Sequence, residues 1–139
     1  MKNFIFALVL LAVVAVLYSC GQKTNTQPKE PVGTQRTVNI AEFAKVIADT
    51  QKVVLVDVRT KEEYDEGHLK GARQIDVKSN TFRLQCLDKL PKEKTIAVYC
   101  RSGFRSKTAA NILSESGFNV VNMGGGYRAW EEAGMETEK

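Results

Sequence analysis

Residues 95–106 read Thr95-Ile96-Ala97-Val98-Tyr99-Cys100-Arg101-Ser102-Gly103-Phe104-Arg105-Ser106, and this stretch decides the architecture. After Thr95 the first part is apolar without alternation, as in a strand covered on both faces. From Ser106 to Ser116 the residues Ala109, Ala110, Ile112 and Leu113 recur at helical spacing, and Gly117 supplies a stop. The chain therefore passes from buried strand through a short loop into a helix. In an open parallel sheet, ligands bind beyond the carboxyl ends of the strands. A loop closing onto a helix start turns several N–H groups toward one point, where they and the helix dipole favour negative charge. A thiol at Cys100 is expected to ionise below the value of a free cysteine. Arg101 and Arg105 add positive charge, with Arg105 expected to face the substrate more than Arg101. Gly103 permits the bend. Ser102, Gly103, Phe104, Arg105 and Ser106 are expected to act mainly through backbone N–H groups, and Ser106 equally as a helix cap.

Working outward, Val53 to Val58 is a second buried strand, and Ala72–Val77 and Val120–Met123 are further strands. Asn39-Ile40-Ala41-Glu42 and Thr60-Lys61-Glu62-Glu63 have the form of capping boxes opening helices. Ser79 or Asn80 is expected to start a helix with Phe82, Leu84, Cys86, Leu87 and Leu90 as its apolar residues, stopped by Pro91. Gly124-Gly125-Gly126 turns the chain into a last helix, Tyr127–Ala133, in which Tyr127 and Trp130 serve packing. Strands separated by helical stretches imply an α/β fold with a mostly parallel central sheet of about five strands and helices on both faces. Asp57 and Arg59 are read as a charged pair that fixes a loop near the site, with Glu63 as partner of Arg59. His68, the single histidine, reads as a hydrogen-bonded turn residue.

The whole chain has 139 residues, 43% hydrophobic and 26% charged, with 20 Lys+Arg against 16 Asp+Glu. That suffices for one core and not two. A balance of +4 with no Lys/Arg block gives no footprint for nucleic acid. Three cysteines and one histidine lack metal-ligand spacing, so neither metal nor cofactor is expected. Residues 1–19 read as a signal peptide: a basic start, then an apolar run from Phe4 to Leu17, too short to span a membrane. The following Leu17-Tyr18-Ser19-Cys20-Gly21 resembles a bacterial lipoprotein cleavage box. That resemblance implies lipidation of Cys20 and a place in the bacterial cell envelope, anchored to a membrane outside the cytoplasm. Residues 20–36 then form a flexible spacer rich in polar residues, Pro and Gly. The folded domain is 37–139, expected to be a monomer. With Cys20 lipidated, Cys86 and Cys100 are the remaining thiols. A disulfide between them is chemically allowed outside the cytoplasm, although Cys86 fits better as a buried small hydrophobe.

Four motifs in order carry a further resemblance: Val56-Asp57-Val58-Arg59; Glu63-Tyr64 with Gly67-His68-Leu69-Lys70-Gly71-Ala72; the loop Cys100–Ser106; and Gly125-Gly126-Tyr127-Arg128-Ala129-Trp130. Over about Val38 to Met135 the chain resembles the rhodanese family of sulfurtransferases. The resemblance implies a rhodanese-like fold with Cys100 as nucleophile. Cys100 would take a sulfane sulfur from a small anionic donor such as thiosulfate and pass it from a persulfide to a thiol or cyanide-like acceptor. Two readings compete. Cysteine phosphatases and arsenate reductases share a Cys-loop-Arg arrangement, but phosphatases place five residues between Cys and Arg, and here four separate Cys100 from Arg105. A non-catalytic binding or sensing module would need no nucleophile in an anion cradle.

Overall fold

The computed structural model describes residues 32–139, so the stretch read as a signal peptide, Cys20 and most of the stretch read as a spacer lie outside the described residues. Among the described residues five strands and five helices alternate: β1 (Gln35–Val38), α1 (Ile40–Ile47), β2 (Val53–Asp57), α2 (Lys61–Glu66), β3 (Arg73–Gln74), α3 (Phe82–Lys89), β4 (Thr95–Tyr99), α4 (Phe104–Glu115), β5 (Val120–Met123) and α5 (Gly126–Glu132). The strands form one sheet in the order β1-β5-β4-β2-β3, and every pairing is parallel. The expected α/β fold is present. After β2 the chain adds β3 on one side, then returns to place β4 on the other. The carboxyl ends of β2 and β4 therefore flank the point where strand order reverses, the place for a site in such sheets.

The period of two along each strand divides the core. Val54, Val56, Ile96, Val98 and Cys100 face α3 and α4, against Phe82, Cys86, Ala109, Ala110 and Leu113. Leu55, Ala97, Tyr99, Val121 and Met123 face the other side, against Phe43 of α1 and Trp130 of α5. The same alternation fixes two neighbours at the end of β4: Tyr99 points to one face and Cys100 to the other.

Local departures from the sequence reading have physical causes. β1 begins at Gln35, two residues inside the stretch read as spacer, because it pairs with β5 from Gln35↔Val120 onward. Ahead of it, the Thr34 amide donates to Asn119 Oδ1 at 3.1 Å. The Asn39 side chain accepts from the Glu42 amide at 2.9 Å, as a cap should. The Glu42 carboxylate, however, pairs with Arg36 instead of reaching back. The second capping box closes fully on Thr60 and Glu63. α3 begins at Phe82, later than Ser79 or Asn80, because Asp76 and Ser79 close a turn first: the Lys78 amide donates to Asp76 Oδ1 and the Ser79 amide to the Asp76 carbonyl. Phe82, Cys86 and Leu90, four apart, take its buried side and leave Leu84 and Leu87 exposed. α4 begins at Phe104, two residues before Ser106. Gly103, at φ 97°, occupies the cap position in the left-handed region.

Candidate active site

Cys100 lies at the end of β4, 1% exposed, at the floor of the loop that leads into α4. The Gly103 amide donates to its Sγ at 3.1 Å. Burial pushes the thiol up, but the Ser106 hydroxyl and the amides of Ser106, Ser102 and Gly103 outweigh it, and the thiol ends below its ordinary value. Ser106 is completely buried. Its hydroxyl has no hydrogen-bond partner of good geometry among the described residues. It is a buried donor beside Cys100 that an anionic sulfur would satisfy. Because α4 starts at Phe104, Ser106 sits within the first turn, pointing in, and does not act as the cap.

The two arginines of the loop part company. Arg105 donates through Nη1 to Glu63 Oε2 and through Nη2 to Glu63 Oε1, both at 2.7 Å. This bidentate pair corrects the expectation that Glu63 serves Arg59: closure of the loop brings Arg105 to α2, while Arg59 finds a nearer carboxylate. The Arg105 guanidinium, against burial, holds the Glu63 carboxyl down at about 2, and the Thr60 amide adds to the effect. Arg101 has no such clamp; it is exposed and lines a cleft beside the loop with Glu66, Tyr127 and Glu131. The free guanidinium thus belongs to Arg101, the residue ranked second from sequence. Phe104, 81% exposed, stands at the rim.

Beneath the loop, Arg59 and Asp57 are nearly inaccessible and paired, Nη2 to Oδ2 at 2.6 Å and Nε to Oδ1 at 2.9 Å. A buried pair of this kind is tolerable because its other valences are filled. Arg59 Nη2 also donates to the Gly67 carbonyl at 2.7 Å, and the Tyr99 hydroxyl donates to Asp57 Oδ2 at 2.7 Å. The Leu69 amide donates to the Tyr99 hydroxyl at 3.1 Å. Arg59 lies over the Tyr127 ring, 4.2 Å from its centroid. Tyr99, whose structural role was not foreseen, is anchored by these bonds immediately before Cys100.

α5 holds the loop from the other side. The Tyr127 amide donates to the Cys100 carbonyl at 2.8 Å and the Arg128 amide to the Arg101 carbonyl at 3.1 Å. These bonds turn the first loop carbonyls outward, leaving the later amides free to point at sulfur. A Cβ on Gly126 would stand 2.5 Å from the Arg101 carbonyl oxygen, so only glycine allows this approach. The glycine run before Tyr127 was the available signal, read from sequence only as a turn. His68 takes the turn role: Nδ1 lies 2.9 Å from the Tyr64 carbonyl, and its ring stacks on Tyr64. Cys86 and Cys100 are both free thiols. Among the described residues no group of His, Cys, Asp and Glu could hold a metal ion.

A thiol in an amide cradle at the end of a parallel strand, with a carboxylate-arginine pair at its side, defines a cysteine-centred anion site on an α/β sheet. The rhodanese-like domain family matches residues 39–133, and the chain belongs to that family. It is 37% identical over 90 residues to a sulfurtransferase of Allochromatium vinosum, covering 64% of this chain and 81% of the relative. It is 32% identical over 100 residues to the thiosulfate sulfurtransferase GlpE of Pseudoalteromonas translucida, covering 71% and 91%. Among solved structures, a rhodanese-related protein from Thermoplasma volcanium superposes with a TM-score of 0.63 at 28% identity, covering 74% of this chain and 97% of that one. A rhodanese-like domain protein from Staphylococcus aureus gives 0.63 at 28% identity, covering 75% and 99%. At the level of the family this is a rhodanese-type sulfurtransferase domain, with a sulfur donor and an acceptor as its general substrates.

Proposed function

We propose that the chain moves a sulfane sulfur from a small anionic donor such as thiosulfate to a thiol or cyanide-like acceptor through a persulfide on Cys100. The Cys100 thiolate attacks the outer sulfur of thiosulfate, the S–S bond breaks and sulfite leaves with its electron pair. The acceptor then attacks the outer sulfur of the persulfide, and Cys100 departs as thiolate. No oxidant is consumed. The observation that carries this reading is the buried Ser106 hydroxyl beside Sγ, joined to the amides of Ser102, Gly103 and Ser106. An enclosed thiol 1% exposed favours an electrophile that arrives end-on through a single sulfur atom over a tetrahedral group. The test is mass spectrometry after exposure to thiosulfate. A gain of one sulfur atom on Cys100 is expected; an unmodified Cys100, with no transfer to cyanide, overturns the proposal.

The same proposal extends to location. Cys20 in its Leu17–Gly21 setting supports a lipid-anchored protein of the bacterial envelope, since two or more acyl chains anchor stably where one does not. Intact mass of the membrane-extracted protein tests it: a diacylated Cys20 terminus is expected, and an unprocessed Met1 refutes it.

A further inference from the structure

The cleft beside the Cys100 loop, about 170 Å³, has walls from α2, the loop and α5. Its charges divide into engaged and free. Arg59 is held by Asp57, and Glu63 by Arg105. Arg101, Glu66 and Glu131 have no oppositely charged side chain within 4 Å among the described residues. All three are exposed at the cleft. Glu131 follows Tyr127 by one turn of α5, and both residues line the cleft.

The free charge is thus one guanidinium and two carboxylates. A doubly anionic sulfur donor gains nothing from such a rim beyond Arg101; its attraction is to the amide cradle. The cleft matches a ligand of mixed sign, and charge complementarity of this kind selects between partners more than it adds affinity. We propose that the cleft is the acceptor subsite, and that it selects a small thiol bearing an ammonium group and a carboxylate. The ammonium lies toward Glu66 and Glu131, and the carboxylate toward Arg101. This rests on the persulfide reading of Cys100. In the step concerned, the acceptor thiol loses its proton to water and its thiolate attacks the outer persulfide sulfur. The S–S bond to Cys100 breaks, Cys100 leaves as thiolate into the amide cradle, and the acceptor departs as a persulfide.

The experiment loads the full-length chain with thiosulfate, removes the excess and mixes it with four thiols: cysteine, cysteamine, 3-mercaptopropionate and 2-mercaptoethanol. Rates are normalised to thiolate concentration. In the wild type, cysteine is expected to exceed cysteamine, and both to exceed 2-mercaptoethanol about five- to tenfold at low salt, the size of one or two partly exposed charge contacts. 3-Mercaptopropionate is expected to be slower than 2-mercaptoethanol. Added salt is expected to narrow both gaps. In the double variant Glu66→Gln/Glu131→Gln the cysteamine to 2-mercaptoethanol ratio is expected to fall to about one. In Arg101→Gln the advantage of cysteine over cysteamine is expected to disappear. Loading with a flat acceptor profile, a faster anionic thiol, or a cysteamine ratio indifferent to the double substitution overturns the acceptor proposal while leaving sulfur transfer standing. Failure to load Cys100 at all overturns both.

Discussion

Cys86 and Cys100 sit in the same hydrophobic cluster, each 1% exposed, yet they behave as opposites. Burial in the middle of α3 pushes the Cys86 thiol up to about 12, and nearby Lys89 scarcely offsets it. Burial pushes the Cys100 thiol up as well, yet it still ends below the ordinary thiol value. The difference lies in the backbone that follows each residue. Helical amides around Cys86 are engaged by carbonyls one turn back. Those of Ser102, Gly103 and Ser106 occupy a strand-to-helix bend and a first turn, where amides lack intrahelical partners. A buried thiol is therefore inert or nucleophilic according to where its neighbours' N–H groups point, and burial alone does not distinguish the two.

The largest effect expected from this contrast is from exchanging each cysteine for serine. Cys100→Ser is expected to abolish sulfur transfer, whereas Cys86→Ser is expected to keep it and to lower unfolding stability by about 1–3 kcal/mol, the usual cost of a buried hydroxyl without a good partner. Thiosulfate–cyanide assays and denaturant melts read the two quantities. Loss of transfer in Cys86→Ser at full stability would break the contrast. Alkylation sharpens it. In the wild type, Cys100 is expected to react with a midpoint below that of free cysteine, about 8.5, while Cys86 stays unreactive across the same range.

Next comes Gly103→Ala. With φ at 97° an L side chain is strained there, and a Cβ would lie 3.3 Å from the Gly125 amide nitrogen. Relief of about 1–2 kcal/mol of strain turns the 103 amide away from Sγ, making Cys100 more like Cys86. Alkylation at neutral pH is expected to slow about tenfold, and its midpoint to move up. An unchanged profile would show that the amide contact is not what ionises the thiol. Ser106→Ala is expected to act in the same direction by a few-fold, because one hydroxyl is removed and the amides remain.

How much of this was legible in the sequence follows from the distance over which each contact is decided. The β4 strand and the Cys100 loop were readable because an apolar run, a cysteine and a glycine lie consecutively. The Asp57–Arg59 pair was readable because two residues at one strand end share a local geometry. The helix start was misplaced by two residues because Gly103 caps from a left-handed conformation that a glycine allows but does not announce. The partner of Glu63 was misassigned because its choice between Arg59 and Arg105 depends on how the loop after β4 closes against α2, across 42 residues of chain. The amides of Tyr127 and Arg128 that restrain the loop carbonyls are announced only by the glycine run before them, which by itself reads as a turn.

The smallest expected effect tests whether that long-range pair, instead of the amides, governs Cys100. Glu63 is held at about 2 against an ordinary 4.5, so in the folded protein it stays charged to lower pH than in the unfolded chain. Its contribution is complete above about pH 4.5 and is lost as pH falls toward 2. The side chains of the pair are each 22% exposed, which limits the contribution to about 1 kcal/mol. Glu63→Gln is expected to lower stability at neutral pH by that amount and to flatten the acid limb of the stability curve. Its effect on Cys100 has the opposite sign. An Arg105 no longer neutralised favours the thiolate, so alkylation is expected to hold its rate or to rise by a small factor. A collapse of Cys100 reactivity in a folded Glu63→Gln protein would mean that the ion pair, acting across the loop, separates Cys100 from Cys86, and that the backbone amides alone do not.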